Sequence, residues 1–443
     1  MKVIVIGGVA AGMSAASKLR RLDPNAEIVV YEKGSYLSYG ACGLPYYVSG
    51  ANDDYRRMII RTQEDFNGVG IKTHLNHEVI KVNPQDRSIM VKDLNTGSIF
   101  LDRYDKLMIS TGAKAIVPSF KGKNLKGVYL LKSLEDGIKL RNEIINDEIK
   151  NVIIVGGGYI GIELAEAMVE LGKKVKVLEL NDRILTPFDK EISDIAEKEL
   201  RDNNVDLHLG EGLKEILGSD RVQGVITSKG RYDADMVILS IGVRPATDFL
   251  RGSGIGLAKN GAIIIDREMR TNLPDIYSAG DCAEVYHLIK EENAYIPLGT
   301  TANKCGRIAG VNLSGKHEKF VGTLGSAAIK VLYMEMARTG LNEREAKQMK
   351  IDFETTFVKS YNHPGYYPNQ ETLYIKIVYE KRTHRILGAQ IAGREGAVLR
   401  VDMFAIAIQA RMTTEDIGMS DLCYAPPFSG VWDAVNVAAN AVK

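Results

Sequence analysis

Short apolar runs ending in glycine turns set the rhythm of the first two thirds of the chain. Residues 3–6 are an unbroken apolar run of strand length, followed by Gly7-Gly8-Val9-Ala10-Ala11-Gly12 and a helix-period pattern from about residue 11 to 22. A second apolar run covers residues 28–31 and stops at Glu32. Strands apolar on both faces belong to a parallel sheet covered by helices. The order strand, glycine turn, helix, strand, acid predicts a dinucleotide-binding unit. Peptide N–H groups and a helix N-terminus face a pyrophosphate, and the carboxylate accepts hydrogen bonds from ribose hydroxyls. Val9 replaces the second glycine of the usual pattern, and one such unit alone is as easily an ordinary strand-to-helix turn.

A second unit changes that balance. Residues 152–155 are again apolar, and Gly156-Gly157-Gly158-Tyr159-Ile160-Gly161 fills all three glycine positions. A helix runs through Glu163 to about residue 171, and a strand over 175–178 stops at Glu179. An internal repeat of the whole unit implies two nucleotide sites. Glu179 accepts from a free 2′-hydroxyl and repels a 2′-phosphate, which predicts NADH over NADPH, although Arg183 follows closely.

Two further apolar runs end at glycine, residues 107–112 with Thr111-Gly112 and residues 236–242 with Gly242. Residues 271–281 lead from a turn into a strand that stops at Gly280-Asp281. That aspartate either hydrogen-bonds a polyol or caps the next helix. After about Gly325 the glycine motifs cease. Alternating runs at 373–379 and 386–391 predict strands, an amphipathic helix follows at about 398–412, and the chain closes through Tyr424-Ala425-Pro426-Pro427-Phe428. The expected class is α/β, with two Rossmann-like units and a C-terminal α+β domain. The expected limits are 1–112 with 243–325, then 113–242, then 326–443.

Between the first unit and residue 50 lies Ser38-Tyr39-Gly40-Ala41-Cys42-Gly43-Leu44-Pro45-Tyr46-Tyr47, where a loop passes into a short helix. Cys42 is either a small buried hydrophobe or a redox thiol whose thiolate is favoured by the helix N-terminus and by peptide N–H groups.

Composition narrows the classes. Lys plus Arg (57) against Asp plus Glu (56) gives a net charge of +1, which provides no global field for nucleic acid or an anionic membrane. The four cysteines, at 42, 282, 305 and 423, form no CxxC pair and no metal-ligand spacing with the seven histidines. They read as thiols of a reducing compartment, and no metal is expected. The N-terminal apolar run is too short for a signal peptide, so a cytoplasmic location is expected.

Taken together and in this order, the two fingerprints, the Cys42 stretch, Thr111-Gly112 and Gly280-Asp281 resemble the flavoprotein pyridine nucleotide-disulfide oxidoreductases along essentially the whole chain. The resemblance implies that Gly7, Gly12, Glu32, Lys33, Val79, Thr111, Gly112, Asp281 and Ala302 bind FAD. It implies that Gly156, Gly158, Tyr159, Ile160, Gly161, Glu163, Glu179 and Gly242 serve NADH, with NADPH as a further donor, and that the third domain forms a homodimer. Members with a dithiol carry a second cysteine five positions on and a late histidine. Here position 47 is Tyr47 and no histidine follows His384. The single-cysteine branch remains. Ala10-Ala11 stands where its peroxidases and many oxidases carry a histidine, and the chain is most similar to coenzyme A-disulfide reductase.

That similarity implies Cys42 as the redox centre, resting as a mixed disulfide with coenzyme A. It also implies Tyr424 and one of Tyr366 and Tyr367 as acids reaching the partner subunit's cysteine. Ser14, Lys18 and Arg21 share one face of the first helix, and with Ser38 and Asn303 they are the expected contacts of a phosphate-rich small-molecule disulfide. Ala41 stands where a polar contact is expected, which leaves coenzyme A persulfides and polysulfides open as substrates. The rivals are an NADH oxidase or peroxidase cycling Cys42 through a sulfenic acid, and a flavin-based redox sensor or interaction protein.

Overall fold

The computed structural model describes residues 1–442; Lys443, the last residue of the third expected segment, lies outside them. In chain order the first unit contributes strand β1 (Lys2–Ile6), helix α1 (Ala10–Leu22), β2 (Glu27–Tyr31), the short helix α2 (Leu44–Ser49), β3 (Ile71–His74) and β4 (Lys106–Ile109). The second contributes β5 (Asn151–Val155), α3 (Tyr159–Glu170), β6 (Lys174–Leu178), α4 (Lys190–Asp202), β7 (Asp206–His208) and β8 (Met236–Leu239). Then come β9 (Ile276–Ser278), α5 (Gly299–Leu313), β10 (Ala327–Val331), β11 (Met334–Gly340), β12 (Phe353–Tyr361), β13 (Thr372–Glu380), β14 (Ile386–Gly393), α6 (Ala397–Gln409) and α7 (Ala434–Asn440).

The apolar runs become two parallel sheets. One has the order β9-β4-β1-β2-β3, and the other has β7-β6-β5-β8 with the short strand Val128–Tyr129 at its edge. β9 joins the first sheet from beyond the second, so that sheet is assembled from two separate stretches of chain. The third sheet, β10-β11-β14-β13-β12, is antiparallel. On this packing we propose domain limits of 1–112 with 243–325, 113–242, and 326–443. The late helix is shorter than expected and ends at Gln409, because Arg411 (φ 58°) turns the chain into the left-handed region.

The two glycine turns are built alike. At the end of β1, Gly7 has φ +99°, and a Cβ there would lie 2.3 Å from the Ser110 carbonyl oxygen. At Gly12 a Cβ would lie 1.9 Å from the Gly7 oxygen. At the end of β5, Gly156 (φ +111°) and Gly161 repeat the pattern, with 2.2 Å to the Ser240 oxygen and 1.9 Å to the Gly156 oxygen. Any side chain would push the helix off the sheet. α1 presses on α5 in the same way. Gly306 and Gly310 would meet the Ala11 and Ala15 carbonyl oxygens at 2.3 and 2.5 Å, so these helices pack backbone to backbone.

The third domain is fastened to the second through charge. Lys376 of β13, 1% exposed, reaches Glu191 of α4 at 2.8 Å, Asp189 at 3.6 Å, and Glu343. Gln390 of β14 donates to Asp189 at 2.6 Å and accepts from its backbone N–H at 2.7 Å.

Candidate active site

The Cys42 stretch sits where the bodies of packing meet. Leu44, Tyr47 and Val48 of α2 belong to the same apolar core as Ile154, Ile162 and Val177 of the second unit. Tyr47, at the position where dithiol members hold their second cysteine, is buried with its ring edge-on to Tyr55. Cys42 lies in a single 3-10 turn, Ala41–Gly43, just before α2, and is open to solvent. On its other side is the start of α5, where a Cβ built on Gly299 would lie 3.7 Å from the Cys42 sulfur. All four cysteines are free, with Cys282 and Cys305 buried, so the chain forms no disulfide with Cys42.

One expectation about this thiol is corrected. The protein packed behind Cys42, then the carboxylates of Glu163 and Asp281, push it up, while Lys132 and the backbone N–H of Cys42 pull it down. A helix N-terminus is worth about 0.3–1 kcal/mol, less than one pKa unit, and α2 is a helix of only six residues. The protein packed behind the sulfur therefore outweighs the short helix, although the other side of Cys42 is open to solvent. The long helix that begins beside the sulfur is α5, not α2. Glu163 itself, crowded by burial and then by Glu166, is pushed up to about 7.

From this stretch a cleft of about 590 Å³ runs outward between α1 and α5. Ser38, Tyr39 and Gly40 form its inner end, Ser14, Ser17 and Arg21 one wall, Asn303, Lys304 and Arg307 the other, and Arg61 closes the side. Ser14 donates to Asn303 Oδ1 at 2.9 Å across it. Arg21, Arg61, Lys304 and Arg307 have no ion-pair partner among the described residues, and no carboxylate lines the cleft. Ser14, Arg21, Ser38 and Asn303 are thus brought together as expected contacts. Lys18 is not. Relative to Ser14 it lies about 40° round the helix on the side away from Ser17 and Arg21, and its stem packs toward Gly310. Ser17, Arg61, Lys304 and Arg307 were missed; the basic i, i+3 pair Lys304 and Arg307 beside Asn303 was the available signal.

Val9, the odd residue of the first fingerprint, lines this same cleft, whereas a Cβ on its counterpart Gly158 would meet nothing within 4 Å. The two units also hold their acids alike. Glu32 accepts from the Gly8 and Gly34 N–H groups, each at 2.7 Å, and Glu179 accepts from Gly157 at 2.6 Å and from the Asn181 N–H at 2.8 Å. Glu179 also accepts from Asn181 Nδ2 at 2.6 Å, and since a carboxylate has about four lone-pair sites, Glu32 keeps about two and Glu179 about one for a ribose.

A small hollow of about 90 Å³ is bordered by Gly7, Glu32, Lys33, Val79 and Thr111, so the first glycine turn and the strand-end acid face one space, as a ribose-binding end requires. At the second unit the open face of Gly158 and the buried, unpartnered Tyr159 hydroxyl, with Ile160 beside it, fit a ligand laid over the start of α3. Gly112 and Gly242, both left-handed, end the two strand crossings beside these sites. Asp281 does not cap a helix, since α5 starts only at Gly299; it pairs with Lys132 at 3.2 Å, and a Cβ on the preceding Gly280 would stand 3.8 Å from that of Ala302 on α5.

Far from its own Cys42 stretch in sequence, the third domain presents two exposed tyrosines whose hydroxyls meet, Tyr366 and Tyr424, at 3.0 Å. Tyr367 instead turns edge-on to the buried His363. α6 shows Leu399 and Ile406 to solvent, and Phe428, Val431 and Trp432 are exposed nearby.

Residues 1–302 match the model of the pyridine nucleotide-disulphide oxidoreductases, and residues 326–435 match the dimerisation domain of that family. The chain belongs to this family. As a member it is an FAD-dependent oxidoreductase that draws electrons from NAD(P)H. A Pyrococcus abyssi relative named NAD(P)H sulfur oxidoreductase (CoA-dependent) is 39% identical over 100% of this chain and 98% of its own length. An Enterococcus faecalis relative named NADH oxidase is 35% identical over 100% of this chain and 99% of its own. The reduced Bacillus anthracis protein CoADR-RHD superposes with a TM-score of 0.96 at 34% identity, over 99% of this chain and 79% of that one. No described helix is long and apolar enough to cross a membrane.

Proposed function

We propose that the protein is an NAD(P)H-dependent reductase of coenzyme A disulfide, or of a coenzyme A persulfide or polysulfide, working as a homodimer through Cys42. The observation that carries this reading is the cleft with four unpaired cations whose inner end, Ser38–Gly40, lies two residues before the cysteine. A ligand bearing several phosphates at one end and a sulfur at the other fits it. Gly7, Gly12, Glu32, Lys33, Val79, Thr111, Gly112, Asp281 and Ala302 hold FAD; Gly156, Gly158, Tyr159, Ile160, Gly161, Glu163, Glu179 and Gly242 hold the nicotinamide nucleotide. FAD, when bound, would supply two electrons drawn from the nicotinamide nucleotide, and their delivery to the Cys42–coenzyme A disulfide would break that S–S bond, freeing coenzyme A and restoring the Cys42 thiolate.

The chain's own residues do the rest. The Cys42 thiolate attacks one sulfur of the substrate, the S–S bond breaks, and the departing coenzyme A thiolate takes a proton from the Tyr366–Tyr424 pair of the other subunit. Cys42 is left as a mixed disulfide with coenzyme A. The apolar face of α6 with Phe428, Val431 and Trp432 is the surface that a second copy covers.

Mass spectrometry of the purified protein is expected to find coenzyme A on Cys42, released by reductant. Anaerobic NADH consumption is expected to be faster with coenzyme A disulfide than consumption driven by oxygen or peroxide. The reverse order, with no adduct, would replace this reading by the oxidase chemistry of the Enterococcus relative.

The cleft makes its own prediction. Arg307→Ala is expected to raise KM for coenzyme A disulfide about tenfold, the loss of one charge-assisted hydrogen bond. Lys18→Ala is expected to leave KM unchanged. Initial rates of NADH oxidation against substrate concentration check both.

A further inference from the structure

Arg400 of α6 is 7% exposed and Asp433 is 4% exposed, and they form a bidentate pair, with Nε 3.1 and 3.0 Å from the two carboxylate oxygens and Nη2 2.8 Å from Oδ2. The remaining donors go to backbone. Nη1 donates to the Gly396 carbonyl at 3.0 Å, and the two N–H groups of Nη2, shared with Asp433, also reach the carbonyls of Asn362 at 3.0 Å and Phe428 at 3.1 Å. The last two lie in different segments. Asn362 closes the loop that carries Tyr366, exchanging hydrogen bonds with Glu371 at 3.0 and 2.8 Å. Phe428 ends the turn that begins at Ala425, next to Tyr424. One guanidinium therefore grips the base of both tyrosine-bearing segments, whose hydroxyls meet at 3.0 Å.

The space around it is closed. Gly396 has φ +77°, and a Cβ there would stand 2.4 Å from Nη1. Asp433 is fixed in turn by Ser429 Oγ at 3.0 Å and by the Val435 N–H at 2.9 Å at the start of α7. A lysine keeps the charge opposite Asp433 but, as a point charge, cannot hold three carbonyls in fixed directions.

We propose that Arg400, held by Asp433, is a positioning residue that sets the Tyr366–Tyr424 pair as the proton donor for the departing thiolate. The inference rests on the reading above, in which that pair of one subunit serves the partner subunit's Cys42. In the step concerned, the Cys42 thiolate bonds to one substrate sulfur and the S–S bond breaks. The leaving thiolate takes a phenolic proton, which solvent restores. The step needs no outside electrons, since Cys42 is oxidised to a disulfide as the leaving sulfur is reduced to a thiol.

The basicity of the leaving thiol separates positioning from general damage, since a thiolate of low pKa leaves unaided. The holoenzyme is assayed with coenzyme A disulfide and with 5,5′-dithiobis(2-nitrobenzoate), whose aromatic thiolate needs no proton. Arg400→Lys is expected to lower kcat with coenzyme A disulfide about tenfold or more, short of the roughly 10²–10⁴-fold that complete loss of a placed general acid gives, and to leave the aromatic disulfide within about twofold. Tyr424→Phe is expected to show the same split. Rates falling equally on both substrates in Arg400→Lys, or unchanged on both, overturn the positioning role while Tyr424→Phe still upholds the tyrosines. Tyr424→Phe without a split overturns the reading beneath it. If Arg400→Lys does not fold, Gly396→Ala, which displaces Nη1 and leaves Arg400 in place, is read by the same ratio.

Discussion

Cys42→Ser is expected to keep FAD and its bleaching by NADH while turnover of coenzyme A disulfide falls by about a thousandfold or more. The hydroxyl is nearly isosteric but is a poor nucleophile and cannot form a disulfide. Neither nucleotide site uses the sulfur, so electron entry is untouched. Stopped-flow reduction of the flavin and steady-state turnover measure the two halves separately. Substantial turnover in the variant would show that electrons reach the substrate without passing through Cys42.

The same thiol predicts a pH dependence. Because burial, Glu163 and Asp281 hold it above its ordinary value, the thiolate fraction in the reduced enzyme grows about tenfold per pH unit through the neutral range. Alkylation of Cys42 by iodoacetamide should therefore still be accelerating at pH 8. A plateau by pH 7 would contradict it.

Lys376→Met is expected to cost about 3–5 kcal/mol, seen as a fall in Tm of about 5–10 °C. The ammonium is 1% exposed and faces Glu191, Asp189 and Glu343, so its removal leaves carboxylates confronting one another between two domains. Burial opposes its charge, but Glu191, Glu343 and Asp189 outweigh burial and hold its pKa up. A raised pKa gives stability that is fully present below the unfolded value and lost only in strong alkali, so the wild type keeps this contribution throughout the working range. Adding Glu343→Gln to Lys376→Met should recover part of the loss. Glu345 contributes to the acid side: burial is outweighed by Arg338 and Lys290, and the pKa is lowered to about 2. Its contribution is present above 4.5 and is lost as pH falls toward 2. Calorimetry across pH, with Glu345→Gln flattening the acid limb, checks the sign.

What could be seen beforehand was whatever a short motif encodes by itself. Gly7, Gly12, Gly156 and Gly161 announce both nucleotide turns because only glycine fits against a carbonyl at about 2 Å, and that constraint is local. Glu32 and Glu179 follow from their place at a strand end. The cleft was half visible. Ser14 and Arg21 declare themselves on α1, but the opposite wall is α5, nearly three hundred residues away, and only the backbone contact of Gly306 and Gly310 brings Lys304 and Arg307 across. Lys18 misled because three charged or polar residues on one helix stripe differ by tens of degrees, enough to put one of them on the wrong side of the crest. The dipole expectation at Cys42 failed for a related reason. A favourable helix end can be read from spacing, whereas desolvation depends on what packs behind the sulfur. Nor does any pattern near Tyr366 or Tyr424 point to Arg400, whose role consists of carbonyl contacts that carry no side-chain signature.

α1 and α5 touch through backbone, and between them they carry the first nucleotide turn, the wall behind Cys42 and both sides of the cleft. A substrate anchored by its phosphates is thus laid along a stiff gauge with the sulfur at its far mark. Reach becomes a criterion for admission. A disulfide whose arm is too short or too long for the distance between the cations and Cys42 can bind well and still present the wrong atom.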